Sequence, residues 1–243
     1  MNRPSELEIC EKITNAKHSP LSIEWLSFAY DPKLSKEIRN LIAEQIGLLA
    51  SKGWHSIQSL IKIYGLQEEL IFAAGLTNQR EARDWLIQLL AEEKEMKTAV
   101  LHALAPWGAS LDIKLIKKIL SEPSQEIKLA ALDILHFKAH KLNPNELLDI
   151  TNEVINDFRD IVVIATIKIL QRRDEIEITD AIAKMVKVGS ENIANQALMA
   201  LGSIGTKYSY EMLIILSNTL INPALRSMAK KQLQHQYRFI ELS

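Results

Sequence analysis

Cysteine is nearly missing from this chain of 243 residues, with Cys10 standing alone. No intrachain disulfide can form, so the fold must hold through its own core, and a reducing, cytoplasmic setting is expected. A cysteine nucleophile would need a base beside it, and the sequence nominates none. Beside Ile9 and Ile13, Cys10 reads as a half-buried helix residue. Glycine and proline are scarce, at 8 and 7 residues, which argues against a β-sandwich and its many tight turns. Neither sign of charge prevails: 29 Lys and Arg against 30 Asp and Glu leave a net −1. That balance disfavours a strongly basic nucleic-acid binder and an acidic disordered tail alike. Long apolar runs are lacking too. IVVIATI (Ile161–Ile167) and MLIIL (Met212–Leu216) fall far short of the ~20 residues that span a bilayer, so no membrane span is expected. The opening MNRPSELEIC has no apolar stretch and the closing FIELS no lipidation motif, so neither a secretory signal nor a lipid anchor is expected.

What is present is helical periodicity. Apolar residues recur at three- and four-residue intervals, and polar or Pro/Gly/Asn breaks interrupt them near Asp31-Pro32, Lys52-Gly53, Gly65, Asn78, Pro106–Ser110, Glu122-Pro123, Asn143-Pro144, Gly189-Ser190, Gly205 and Asn222-Pro223. About fourteen helices of three to four turns are predicted. Within them one segment repeats. ENIANQALMALGSIG (Glu191–Gly205) aligns with KEMKTAVLHALAPWG (Lys94–Gly108), pairing Val100 with Ala197, Ala103 with Ala200, Leu104 with Leu201 and Gly108 with Gly205. EIRNLIAEQIG, QEIKLAALDIL and INPALRSMAKKQL fit the same template; LQEELIFAAG and DIVVIATIKI fit it weakly. The repeat anchors are then Ile46, Ala74, Leu104, Leu135, Ile169, Leu201 and Leu233. A unit of roughly 32 residues is one helical hairpin, which must stack on the next to bury its faces.

The pattern D-P-x-x-[VI]-R-x-x-A-[AL]-x-A-L-G-x-[IL]-G resembles HEAT-like repeats, and with this short period it resembles the cyanobacterial phycobilisome-lyase type. The residues that carry the likeness are ANQALMALGSIG, NPALRSMAKKQL and EIRNLIAEQIG, with the motif arginine at Arg39 and Arg226, lysine at Lys97 and Lys128, and neither at Val162 and Ala194. The resemblance implies an all-α, right-handed α-solenoid of about seven HEAT-like hairpins in a single domain over residues 1–243. Capping helices would occupy 1–30, repeats 31–235 and a tail 236–243. It also implies a protein partner, a phycobiliprotein subunit among them, met in a hetero-oligomer by a scaffold or chaperone. The alternative it implies is a bilin lyase that attaches or removes a phycobilin at a phycobiliprotein cysteine, with the phycobilin as substrate or ligand.

Other chemistries are poorly matched. HEAT-like metal hydroxylases carry His-Glu pairs, and none of His18, His55, His102, His136, His140 and His235 is followed by Glu. His136 and His140 have the i,i+4 spacing of a metal pair but no matched third ligand. HEAT-like DNA glycosylases are a further alternative, but Lys117-Lys118, Arg172-Arg173 and Lys230-Lys231 are far apart and offset by acids, so no nucleic-acid partner is expected. The four tryptophans share no repeat position, and Trp85 is expected to pack between helices. No acid, base, nucleophile or metal set assembles, so no catalytic residue, metal or resident cofactor is assigned. In the family the motif helix lines the concave side. On that implied placement Leu129, Asp133, Arg159, Val163, Ile167, Asn195 and Met199 form a partner-binding groove with an apolar centre. Because IVVIATIKIL is apolar on nearly every side, a one-residue shift of register would bury other members of it instead.

Overall fold

The computed structural model describes residues 3–16, 20–92 and 95–240. His18, Lys94 and residues 241–243 of the expected tail lie outside them. Among the described residues there are fifteen α-helices and no strand, the all-α architecture expected from the sequence. None of these helices is long and apolar enough to cross a membrane.

The chain forms two compact units, Met1–Trp107 and Gly108–Ser243. The first holds α1 (Glu6–Asn15), α2 (Ile23–Ala29), α3 (Lys36–Gly47), α4 (Ala50–Tyr64), α5 (Glu68–Leu76), α6 (Arg80–Glu92) and α7 (Lys97–Leu104). The second holds α8 (Ile113–Leu120), α9 (Gln125–Lys138), α10 (Pro144–Ile155), α11 (Asp160–Leu170), α12 (Ile176–Val188), α13 (Glu191–Ile204), α14 (Lys207–Thr219) and α15 (Pro223–Ile240). Polar residues start many of them for a local reason: the side chains of Ser5, Ser124, Asn143, Ser190 and Thr206 each accept a first-turn backbone N–H that would otherwise lack a partner. Pro144 sits in the first turn of α10, where its missing N–H removes no helix bond.

Each even helix pairs with the odd helix that follows it, giving three hairpins in the first unit and four in the second. The odd helices carry the repeated motif and stack in a row, α3–α5–α7 in one unit and α9–α11–α13–α15 in the other. Trp54 and Trp85 meet in the first unit with ring centroids 5.4 Å apart, as expected for residues packed between helices.

The anchors Ile46, Ala74, Leu104, Leu135 and Leu201 are wholly buried, while Leu233 is half-buried. The fifth anchor needs a correction. In α9 residues 128, 131, 132, 134 and 135 are buried and 133 is exposed; α13 repeats this at 194, 197, 198, 200 and 201, with 199 exposed. In α11 the same pattern falls on 163, 166, 167, 169 and 170, with 168 exposed. The repeat position therefore belongs to Leu170, one residue beyond Ile169. The expected break at Lys52-Gly53 is also corrected. Gly53 lies inside α4, and a Cβ there would sit 2.0 Å from the Ile46 carbonyl oxygen. That glycine permits a close helix crossing rather than a turn.

Gly75 serves the motif row in the same way, since a Cβ on it would lie 2.3 Å from the Ala103 carbonyl oxygen. Gly75→Ala must push α5 off α7. It is expected to cost roughly 1–3 kcal/mol, read as a lower melting temperature in thermal unfolding.

Charged side chains tie successive hairpins. In the first unit Arg39 of α3 meets Glu69 of α5 at 3.2 Å, and Tyr30 donates its hydroxyl hydrogen to Glu69 at 2.8 Å. Burial, reinforced by that bond, pushes the Tyr30 hydroxyl far above its usual range. In the second unit Lys128 of α9, 7% exposed, donates to the Leu120 carbonyl at 2.8 Å and faces Asp157 at 3.4 Å. Arg159 grips both carboxylate oxygens of Asp157 at 2.8 Å and reaches back to the Pro123 carbonyl at 2.9 Å. The hydrogen bonds from Arg159, against burial and helped by the charge of Lys128, hold the Asp157 carboxyl well below the usual carboxylate range. The folded chain thus releases this proton at a lower pH than the unfolded chain, whose aspartates titrate near ~3.9. The stabilisation is complete above that pH and is lost as the pH falls further. Asp157→Asn is expected to destabilise by on the order of 3 kcal/mol at neutral pH, because Lys128 keeps a buried charge with one partner fewer. Urea unfolding as a function of pH checks this: the gap between wild type and variant should narrow below about pH 4.

Candidate functional site

The motif row of the second unit turns one line of residues away from its core: Asp133 on α9, Lys168 on α11 and Met199 on α13, all exposed. They occupy the same repeat position, two residues before Leu135, Leu170 and Leu201. Beneath them the neighbours Leu132, Ile167 and Leu198 are at most 2% exposed, so this face is a surface laid over a packed core. A cavity of about 410 Å³ opens along it, lined by Leu132, Asp133, His136, Ala165, Lys168, Ile169, Gln171, Arg172 and Gln196. Arg172 Nη1 lies 2.6 Å from His136 Nε2, linking the turn after α11 to α9. Two cations, an acid and two amides thus converge on a shallow groove with Met199, 46% exposed, beside it. This arrangement suits recognition of a polar, carboxylate-bearing segment with an apolar residue to set against the methionine.

Four of the expected site residues keep a surface place. Asp133 lines the groove, Met199 is exposed, and Leu129 and Asn195 are half-buried on the same helices. Three are corrected. Val163 and Ile167 are 2% and 0% exposed, in the core, because α11 sits one residue out of the expected register. Arg159 is no groove residue: its guanidinium is taken up by Asp157 and the Pro123 carbonyl at the turn before α11. The groove is consequently polar at its centre and not apolar. Anchoring the repeat at Ile169 put Ile167 in the outward place of Lys168, although Lys168 is the one charge in IVVIATIKIL and marks the wet face of an otherwise apolar helix. His136 and Arg172 had no such signal, since their pairing depends on two hairpins stacking.

The i,i+4 histidine pair does not form a metal site. α9 ends at Lys138, so His140 falls in a following 3-10 turn, and His136 faces a guanidinium. Among the described residues no group of three or more His, Cys, Asp or Glu is placed to hold a metal ion. A larger hollow of about 650 Å³ lies beside α2 and α4, rich in serine. Its polar atoms are engaged locally: Ser27 Oγ lies 2.6 Å from Ser56 Oγ, Ser59 donates to the His55 carbonyl, and His55 Nδ1 meets the Ser51 carbonyl at 2.7 Å. Because a carbonyl oxygen only accepts, Nδ1 carries the imidazole proton in that last contact.

No family model matches the chain, and no curated protein matches it. Solved structures resemble it at low identity. An engineered protein is 15% identical over 97% of this chain and 71% of its own, with a TM-score of 0.50. An archaeal HEAT-like repeats protein from Thermococcus onnurineus NA1 is 15% identical over 98% of this chain and 99% of its own, with a TM-score of 0.47. Human deoxyhypusine hydroxylase, solved in complex with glycerol, is 14% identical over 96% and 97%, with a TM-score of 0.43. Likeness at this level speaks to fold alone. Each unit is a row of helical hairpins, defined by its stacked motif helices and the hairpin repeat described above.

The corrected register has a direct test. Ile167→Glu buries a charge without a partner and is expected to lose several kcal/mol of stability. Met199→Glu, on the exposed row, is expected to leave stability within about 0.5 kcal/mol of wild type. Parallel thermal melts followed by circular dichroism read both.

Proposed function

We propose that the protein is a non-enzymatic binding scaffold, and that the groove over α9, α11 and α13 takes a segment of another protein. The observation that carries this reading is the convergence of Asp133, His136, Lys168, Arg172 and Gln196, from three successive hairpins, on one open cavity over a packed core. Lys168 and Arg172 against Asp133 give the groove a positive bias, so the bound segment carries carboxylates. A partner held there loses affinity when the cations are reversed. Lys168→Glu/Arg172→Glu is expected to weaken partner binding by roughly 2 kcal/mol or more, with helix content and melting temperature little changed. Affinity purification from the native host with wild type and variant side by side, followed by titration of the protein that the variant loses, measures this. Equal recovery by both proteins would remove the groove from the reading.

The finer form of the proposal takes a phycobiliprotein subunit as the partner and the chain as its chaperone. It is supported by the motif residues of ANQALMALGSIG and NPALRSMAKKQL, and it keeps a lyase acting on a phycobilin as its alternative. The two separate when the protein is mixed with apo-phycobiliprotein subunits and phycobilin. The chaperone binds the subunit and leaves the bilin free, whereas the lyase yields a covalent bilin adduct visible in denaturing gels. Binding to neither sinks the finer form and leaves the scaffold.

A further inference from the structure

The second unit has an edge where each even helix hands over to the next motif helix, and this edge holds apolar side chains out in water. Phe158 is 88% exposed, Val188 72%, Ile221 95% and Ile161 51%, and Pro123 is exposed beside them. They lie in or next to the turns that precede α9, α11, α13 and α15. Hydrogen bonds join the first three of these turns: Arg159 donates to the Pro123 carbonyl at 2.9 Å, and Ser190 Oγ donates to Asp160 at 2.6 Å. The turn that bears Phe158 is fixed from both sides. Asp157 and Arg159 lock together through two hydrogen bonds, and the guanidinium lies 4.8 Å from the Phe158 ring centroid. The phenyl ring is thus held outward by the same ion pair that ties α9 to α11.

Soluble chains rarely leave such a line of apolar residues uncovered without a use for it. Successive motif helices pack roughly 8–10 Å apart, and one heptad of α-helix advances about 10.5 Å. A helix lying along this ridge therefore meets it with an apolar residue about every seventh position. One flank has a constant sign: Glu126, Asp160 and Glu191 stand in the first turns of α9, α11 and α13. We propose that this ridge docks an amphipathic helix of a partner protein, with apolar residues a heptad apart and basic residues along its flank over the motif helices. The surface is separate from the groove, and the proposal stands whether or not the groove binds a partner.

The test titrates the full chain and its Phe158→Ser/Ile221→Ser variant against three-heptad helical peptides by fluorescence anisotropy. The peptides share one leucine stripe and differ in their flanks: basic and acidic, both basic, or both acidic. The peptides with a basic flank should bind more tightly than the all-acidic one, and roughly tenfold more weakly to the variant, with both proteins melting at the same temperature. No binding of any peptide, equal affinity for both proteins, or preference for the all-acidic peptide overturns the proposal. Sedimentation in which only the wild type dimerises would make the ridge an interface with a second copy instead. Anionic-lipid vesicles that capture only the wild type would make it a lipid-facing surface, and either result also overturns the proposal. Lys168→Glu/Arg172→Glu should keep its peptide affinity, which separates failure of the ridge from failure of the groove.

Discussion

Everything in each unit rests on how closely consecutive motif helices approach. Ala43, Ala73, Ala103, Ala131, Ala197 and Ala200 are all buried on these helices, and Gly75 lies against the backbone of α7 with no room for a methyl group. At such separations a single row of side chains on α9, α11 and α13 is free of the packing, and the rest is committed to the core or to neighbouring helices. This is why the burial pattern repeats so closely in α9, α11 and α13, and why one outward position per hairpin decides what the groove is made of. A repeat that cannot bury its two faces alone gains them from its neighbours, so the small residues set the spacing on which every other contact depends.

The charged ladder is secondary to that spacing, and it is incomplete for a physical reason. Arg39 and Lys128 each meet an acid of the next hairpin, Glu69 and Asp157. At the equivalent positions of α11 and α13 stand Val163 and Ala194, buried at 2% and 1%. A buried ion pair gains little over well-packed apolar residues, because desolvation offsets the Coulomb attraction. An apolar residue at this position therefore packs without loosening the hairpin, and the weak motif in DIVVIATIKI marks a dry contact like that of Ala194, where Lys128 of α9 has an ion pair. The chain needs both partners of a pair or neither, and it has one or the other arrangement at these four positions.

The helices, their hairpin pairing and most anchors were legible in the sequence, since each depends on periodicity within about 32 residues. The site was legible only in part. Asp133 and Met199 could be placed because the repeat alignment puts each two residues before an anchor leucine, Leu135 and Leu201. Val163 and Ile167 could not, because a helix apolar on all sides carries no phase of its own, and only packing against α9 and α13 supplies one. Lys168 held the missing phase information. Arg159 misled for a different reason: an arginine at a helix start looks available in sequence, while its hydrogen bonds to Asp157 and to the Pro123 carbonyl arise only once the hairpins stack.

The two surfaces of the second unit follow from one division of labour. Where motif helices run side by side, their outward row is interrupted by core residues every turn, so it offers scattered contacts: an acid, a lysine, a methionine. Such a row recognises by charge and hydrogen bonding over the shared cavity. Where helices turn, the backbone is already satisfied by caps such as Ser124 and Ser190 and by the Asp157–Arg159 pair. The side chains between those caps make none of the turn's hydrogen bonds, although the Phe158 ring lies against the Arg159 guanidinium. Phe158 and Ile221 could be any polar residue without harm to the fold, and a polar residue would be the favourable choice at an edge open to water. Their apolar character is therefore unexplained by the array itself, whereas Ile167 and Leu198 need no function beyond filling it.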